Sequence, residues 1–395
     1  MSNTQKKNVP ELRFPGFEGE WEEKQLGDLT DRVIRKNKNL ESKKPLTISG
    51  QLGLIDQTEY FSKSVSSKNL ENYTLIKNGE FAYNKSYSNG YPLGAIKRLT
   101  RYDSGVLSSL YICFSIKSEM SKDFMEAYFD STHWYREVSG IAVEGARNHG
   151  LLNVSVNDFF TILIKYPSLE EQQKIGKFFS KLDRQIELEE QKLELLQQQK
   201  KGYMQKIFSQ ELRFKDENGE DYPDWENKFI KDIFIFENNR RKPITSSLRE
   251  KGLYPYYGAT GIIDYVKDYL FNNEERLLIG EDGAKWGQFE TSSFIANGQY
   301  WVNNHAHVVK SNDHNLFFMN YYLNFKELRA FVTGNAPAKL THANLCNINL
   351  KIPCLTEQDK VSALLKSIDN KMNNQMNRIE LLKERKKGLL QKMFI

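Results

Sequence analysis

The chain has 395 residues, 39% of them hydrophobic and 12% aromatic, which suits about two or three cored domains and excludes a disordered protein. A formal net charge of +5 permits contact with nucleic acid without demanding it. Three cysteines with no CxxC pair give no disulfide framework and fit a reducing cytoplasm; no signal peptide or membrane span is expected.

In chain order, residues 1–15 are a polar extension ending in a lead-in motif, Glu11-Leu12-Arg13-Phe14. Residues 16–168 form a first globular segment. Its apolar runs Leu110–Ile116 and Phe160–Ile164 predict strands, and Lys122–Glu137 predicts a helix. Residues 169–208 predict a long helix, because Ile175, Phe179, Leu182, Ile186, Leu193, Leu196, Tyr203 and Ile207 step by the alternating intervals of a heptad seam. At 1.5 Å per residue, Glu171–Phe208 would span roughly 55 Å. Residues 209–354 form a second globular segment, with strand-like runs at Leu277–Ile279, Ala306–Val309 and Ile348–Ile352 and a helical pattern at Asn315–Val332. Residues 355–395 predict a second long helix with its seam at Val361, Leu365, Ile368, Met372, Ile379, Leu382, Leu389 and Met393. Pro167 and Pro353 stand just before these helices, where proline can start a helix but not interrupt it.

This order is an internal repeat. Leu169-Glu170-Glu171-Gln172-Gln173-Lys174 returns 186 residues later as Leu355-Thr356-Glu357-Gln358-Asp359-Lys360. The same offset takes Asp183 to Asp369, Lys200-Lys201-Gly202 to Lys386-Lys387-Gly388, and Gln205–Phe208 to Gln391–Phe394. Both seams are broken by polar residues at equivalent places, Glu189/Gln375 and Lys200/Lys386, and such residues fix register at a cost in stability. The lead-in motif returns as Glu211-Leu212-Arg213-Phe214, followed each time by an acidic stretch, a tryptophan (Trp21, Trp225) and a basic loop. The chain reads as a ring opened at one junction, with its ends near each other. The expected fold is α+β: two globular domains separated by two long antiparallel helices forming a coiled coil, in a pseudo-twofold, circular arrangement.

Both globular segments carry loops dense in Asn, Lys, Arg and Tyr, side chains suited to base edges and phosphates. In the first, the candidates for DNA contact are Arg35, Lys36 and Lys38, then Asn84, Lys85, Tyr87 and Asn89, then Arg147 and Asn148. In the second they are Arg240, Arg241 and Lys242, Tyr257 and Thr260, Lys285 and Trp286, then Lys339, Thr341 and His342.

No catalytic constellation emerges. Pro223-Asp224 with Glu226-x-Lys228 resembles a nuclease signature only superficially, because it reads as one polar turn. There is no GxxxxGK[ST] phosphate loop and no amino-methyltransferase string. His305-x-His307 lacks a third metal ligand and reads as two strand histidines; Cys346 and Cys354 read as small core residues without a histidine partner.

The order of domains and helices, with Pro167…Glu171-Gln172-Gln173-Lys174-Ile175 and Pro353…Glu357-Gln358-Asp359-Lys360-Val361, resembles the specificity subunit of type I restriction–modification systems. Lys77-Asn78-Gly79-Glu80-Phe81 and Gly280-Glu281-Asp282-Gly283-Ala284 are similar to motifs of that family's target-recognition domains. The resemblance implies that each domain reads one half of a bipartite double-stranded DNA target and that the helices act as a ruler for the unread spacer. It also implies a non-catalytic chain with no cofactor of its own. S-adenosylmethionine would belong to two modification (methyltransferase) subunits docked on the helices. ATP and Mg would belong to restriction (translocase/nuclease) subunits. The rival readings are a free-standing nuclease or fused restriction–modification enzyme, and a coiled-coil adaptor with no DNA role.

Overall fold

The computed structural model describes residues 8–50, 52–61, 69–87, 90–142, 152–334 and 338–395. Two compact units make up the chain: unit 1 is residues 1–190 with 378–395, and unit 2 is residues 191–377. The long helices are continuous, Leu169–Phe208 and Leu355–Met393, so each contributes one part to each unit.

The seam positions explain why these segments stay helical. In unit 1, Ile175, Phe179, Leu182 and Ile186 of the first helix are buried, as are Ile379, Leu390 and Met393 of the second. Asp183 meets Lys386 at 2.6 Å and Glu189 meets Arg378 at 2.9 Å, so the two helix segments run antiparallel. In unit 2, Ile207 shares a core with Val361 and Leu365, while Lys200 meets Asp369 at 2.6 Å, again antiparallel. The seam lysines are thus occupied rather than solvated: Lys200–Asp369 and Lys386–Asp183 are one ion pair written twice by the repeat.

The strings that repeat most closely clamp each helix start to its domain. Gln172 donates from Nε2 to the Pro167 carbonyl at 2.9 Å and accepts from the Ser121 N–H at 3.0 Å. Gln358 does the same with Pro353 and Asn315, both at 2.9 Å. Glu171 and Glu357 are fully buried, and each takes two hydrogen bonds from the lead-in arginine of its unit, Arg13 or Arg213. A buried carboxylate is tolerated only when paired in this way. Beside each arginine, the lead-in backbone docks on a helix end: Leu12 N–H donates to the Lys392 carbonyl at 2.8 Å, and Leu212 N–H to the Lys206 carbonyl at 2.9 Å. The lead-in motif at the start of the chain and the last helix therefore meet in unit 1, as the opened ring requires.

Each domain is α+β, and the two share a closing pair and a central sheet but differ in their smaller sheets. A short antiparallel pair closes it, Glu22–Gln25 with Leu163–Tyr166 in unit 1 and Glu226–Phe229 with Asn349–Ile352 in unit 2. The central four-stranded antiparallel sheet has the order Thr30–Arg32, Tyr111–Ile116, Phe81–Asn84, Ala95–Arg98 in unit 1. Unit 2 repeats it as Ile235–Phe236, Ala306–Lys310, Arg276–Gly280, Ser293–Ala296. Helices Lys122–Asp130 and Leu316–Phe325 cover these sheets from capped starts, Ser121 and Asn315 accepting from the first-turn N–H groups. The helix ends join the same cores. Phe394 packs on Trp21, Phe124, Tyr128 and Phe179, and Phe208 packs on Phe318, Tyr322 and Phe325. Burying a phenylalanine contributes about 1.5–3 kcal/mol.

Two local expectations are corrected. The pattern Lys122–Glu137 is two helices, Lys122–Asp130 and Tyr135–Ile141. Ser131 ends the first, its hydroxyl donating to the Tyr128 carbonyl and thereby competing with the helix ladder. Phe160 and Thr161 belong to a helix, Val156–Thr161, started by Ser155, whose hydroxyl accepts from the Asp158 N–H; the strand begins only at Leu163. None of the described helices is long and apolar enough to cross a membrane.

Candidate nucleic-acid interface

Ladder register makes the two domains comparable residue by residue. Asn84 pairs with Tyr111 in unit 1, and Gly280 pairs with Ala306 in unit 2, at the same end of the same two strands. Three connections converge there in each domain. The first follows Asn84 or Gly280. The second is the turn before Tyr111 or Ala306. The third is the segment before the short helices Val156–Thr161 and His342–Cys346. It is tied to the first by one backbone bond in each domain: Leu152 N–H to the Lys85 carbonyl at 3.0 Å, and Leu340 N–H to the Glu281 carbonyl at 2.7 Å.

The sequence candidates distribute over this frame unevenly. In unit 1, Asn84 accepts from the Ser86 N–H, Lys85 donates to the Val154 carbonyl at 3.3 Å, and Tyr87 is exposed. Asn89, Arg147 and Asn148 lie outside the described residues. Arg35 is held by both oxygens of Glu80 at 2.8 Å, Lys36 donates to the Asn72 carbonyl, and Lys38 is exposed.

In unit 2 the two arginines of the basic run are held by the fold. Arg240 is bound to both oxygens of Glu274 at 2.7 and 2.8 Å and lies 4.1 Å over the Phe271 ring. The Arg240 guanidinium, aided by the Asn272 N–H, holds the Glu274 carboxyl down at about 2, against the opposing effect of burial. Arg241 meets Glu281 at 2.7 Å and the Ala306 carbonyl at 2.9 Å, bracing the loop end of the sheet. Lys242 and Lys285 are exposed. Trp286 is a core residue, donating from Nε1 to the Gly280 carbonyl at 3.2 Å. Tyr257 packs against Phe294 and Tyr300, while Thr260 is exposed in the following turn. Thr341 caps the short helix, accepting from the Asn344 N–H at 3.2 Å, and the His342 ring packs edge-on to Phe236. Lys339 reaches the loop end, 3.3 Å from Asp282.

Residues set aside in the sequence fill the centre of this cluster. His305 stands in the turn before the strand, not on it, and its Nδ1 is 2.5 Å from Asp282 Oδ1. His307, on the strand, is buried; burial pushes its imidazole below the ordinary range, although its Nε2 donates to the Leu340 carbonyl at 2.8 Å. Cys346 does have a histidine neighbour, His342 at 3.5 Å, and neither Cys346 nor Cys354 is in the core. Asp224 is exposed beside Arg213, and Glu226 and Lys228 lie on a paired strand rather than in a turn. Among the described residues no group of three or more His, Cys, Asp or Glu could hold a metal ion.

Two globular domains with the same central sheet, each presenting a three-loop cluster and each clamped to antiparallel helices, define a scaffold built twice. Residues 18–198 and 222–384 match the type I restriction modification DNA specificity domain, and the chain belongs to that family. It is 39% identical over 143 residues to a putative type I restriction enzyme specificity subunit of Haemophilus influenzae, covering 36% of each chain. It is 27% identical to the putative type I restriction enzyme MjaX specificity subunit of Methanocaldococcus jannaschii, covering 58% of this chain and 57% of that one. Against the MjaVIII specificity subunit of the same organism, identity is 23% over 421 residues, covering 97% of this chain and 93% of the relative. Among solved structures, the type I restriction–modification S subunit from M. genitalium shares the fold over 98% of this chain and 99% of its own, with a TM-score of 0.62 at 16% identity.

Proposed function

We propose that this chain is the sequence-reading subunit of a cytoplasmic type I restriction–modification complex, each domain binding one half of a bipartite duplex target. The carrying observation is the loop cluster. One backbone frame is built twice, and its equivalent positions hold different side chains: Asn84, Lys85, Ser86 and Leu110 in unit 1, Gly280, Glu281, Asp282 and His305 in unit 2. A constant frame with changed edges is what two half-sites of different sequence require. In this reading the chain performs no chemistry. Modification subunits carrying S-adenosylmethionine methylate an adenine in each half-site, and restriction subunits use ATP and Mg. The long helices offer the docking surface. Leu195 and Leu381, equivalent under the repeat, are 64% and 66% exposed, and Leu188, one heptad before Leu195, is 48% exposed, so the helices carry apolar side chains open to a partner.

Methylome sequencing of a host that expresses the chain with its modification genes tests this. The expected result is one bipartite motif with a fixed unread spacer. A continuous motif, or DNA cut or methylated by the purified chain alone, contradicts it.

A further inference from the structure

The loop end of unit 2 carries a constellation of which the sequence candidates include only Lys339. Asp282 follows the strand Arg276–Gly280 and precedes Gly283, whose φ of 72° suits glycine. Its backbone pairs with Lys339 in an isolated bridge. One carboxylate oxygen is 2.5 Å from His305 Nδ1, and the other is 3.3 Å from Lys339 Nζ. The Asp282 side chain is 15% exposed, that of His305 50% and that of Lys339 43%, so a largely covered acid holds two open side chains. The His305 backbone is pinned at both ends: its N–H donates to Asn303 Oδ1 at 2.8 Å, and its carbonyl accepts from the Glu281 N–H at 2.8 Å.

The donor–acceptor logic is directional. A carboxylate only accepts, so Nδ1 carries a ring proton, and in the neutral ring Nε2 is then the acceptor. Among the described residues no hydrogen bond engages Nε2. Lys339 keeps ammonium hydrogens beyond the one aimed at Asp282. With the ring neutral, one largely covered acid therefore holds both an acceptor and a donor. In the major groove, adenine shows the complementary pair, the N6 amino donor and the N7 acceptor, whereas guanine shows two acceptors.

We propose that His305 and Lys339 read the major-groove edge of one adenine in the half-site of unit 2, with Asp282 as the positioning residue that sets the imidazole tautomer. The inference rests on the DNA-reading function above and adds the base and the residues. Unit 1 has Ser86 and Leu110 at the matching positions, so only one half-site would be specified in this way.

The test uses the full chain co-expressed with its modification partners and reads the methylome of wild type, His305→Ala and Asp282→Asn. His305→Ala is expected to lower discrimination at one base pair of one half-site by about tenfold, the scale of a lost bidentate base contact. The other half-site serves as an internal control for folding. In Asp282→Asn, the amide can donate to Nδ1 and move the ring proton to Nε2. With two donors now outward, the preference at that one position is expected to shift from adenine towards guanine. An unchanged motif in both variants would overturn the proposal. So would a uniform loss over all sequences, the mark of a phosphate contact. If wild type itself gave no bipartite motif, the functional reading would fail first and the inference with it.

Discussion

Lys386 in unit 1 and Lys200 in unit 2 occupy the same place in the repeat, yet their surroundings differ. Lys386 bridges Asp183 and Asp130, each within 2.7 Å, and Asp130 also holds Lys97 at 2.6 Å, all three side chains of this inner group being nearly covered. Lys200 has Asp369, which also accepts from the Tyr321 hydroxyl at 2.7 Å, and lies 5.0 Å over the Tyr321 ring. At the helix clamps, in contrast, Arg13–Glu171 and Arg213–Glu357 are the same arrangement twice. At the loop ends almost nothing is shared except the backbone. Similarity is thus greatest at the helix clamps, weaker around the seam lysines and least at the loop tips. Where the chain must hold geometry it repeats itself, and at the loop tips, where the proposed readers would meet DNA, it does not.

The largest expected effect separates the two lysines. Burial works to raise the Asp130 carboxyl, but Lys97 and Lys386 together hold it down at about 2. Lys386→Ala leaves the nearly covered Asp130 with Lys97 alone and takes a partner from Asp183, whose side chain is 47% exposed, so about 2–3 kcal/mol is expected in urea unfolding. Lys200→Ala removes one contact from an acid that keeps a hydroxyl and is 30% exposed, so about 1–2 kcal/mol is expected. Equal costs would erase the contrast drawn between the units.

A smaller effect sharpens it through pH. Burial pushes the Glu126 carboxyl in unit 1 up to about 7, with Arg98 opposing. A carboxyl raised on folding favours its protonated form. Its contribution is greatest below the ordinary range near 4.5 and is lost as pH climbs towards 7. Glu126→Gln should therefore gain stability over wild type between pH 5 and pH 8 (pH values chosen to bracket that window). With its side chain 34% open to water, about 1 kcal/mol is expected. A thermal-melting difference independent of pH would count against an acid whose desolvation outweighs its Arg98 partner.

How much was legible follows the same gradient. The long helices, their polar breaks and the meeting of the lead-in motif with the last helix were readable because a repeat at fixed offset needs no tertiary knowledge. The loop cluster was only partly readable. Arg240 and Arg241 look like a free basic run, but their carboxylates come from 34 and 40 residues away. Trp286 looks like a surface aromatic in a glycine-rich loop, but that loop folds back and buries it. His305 was grouped with His307 by spacing. Only the strand start at Ala306 shows that one ring faces the loop cluster and the other the core. Equivalence of Asn84 with Gly280 depends on ladder register, which no local pattern encodes.

The central claim is that one reader is built twice and each copy answers for one half-site. Its most direct test replaces residues 16–166 with the corresponding domain of another family member, leaves both long helices intact, and sequences the methylome of the host. The account predicts that one half of the motif changes while the other half and the spacer length stay as they were. A change in both halves, or in neither, would contradict it.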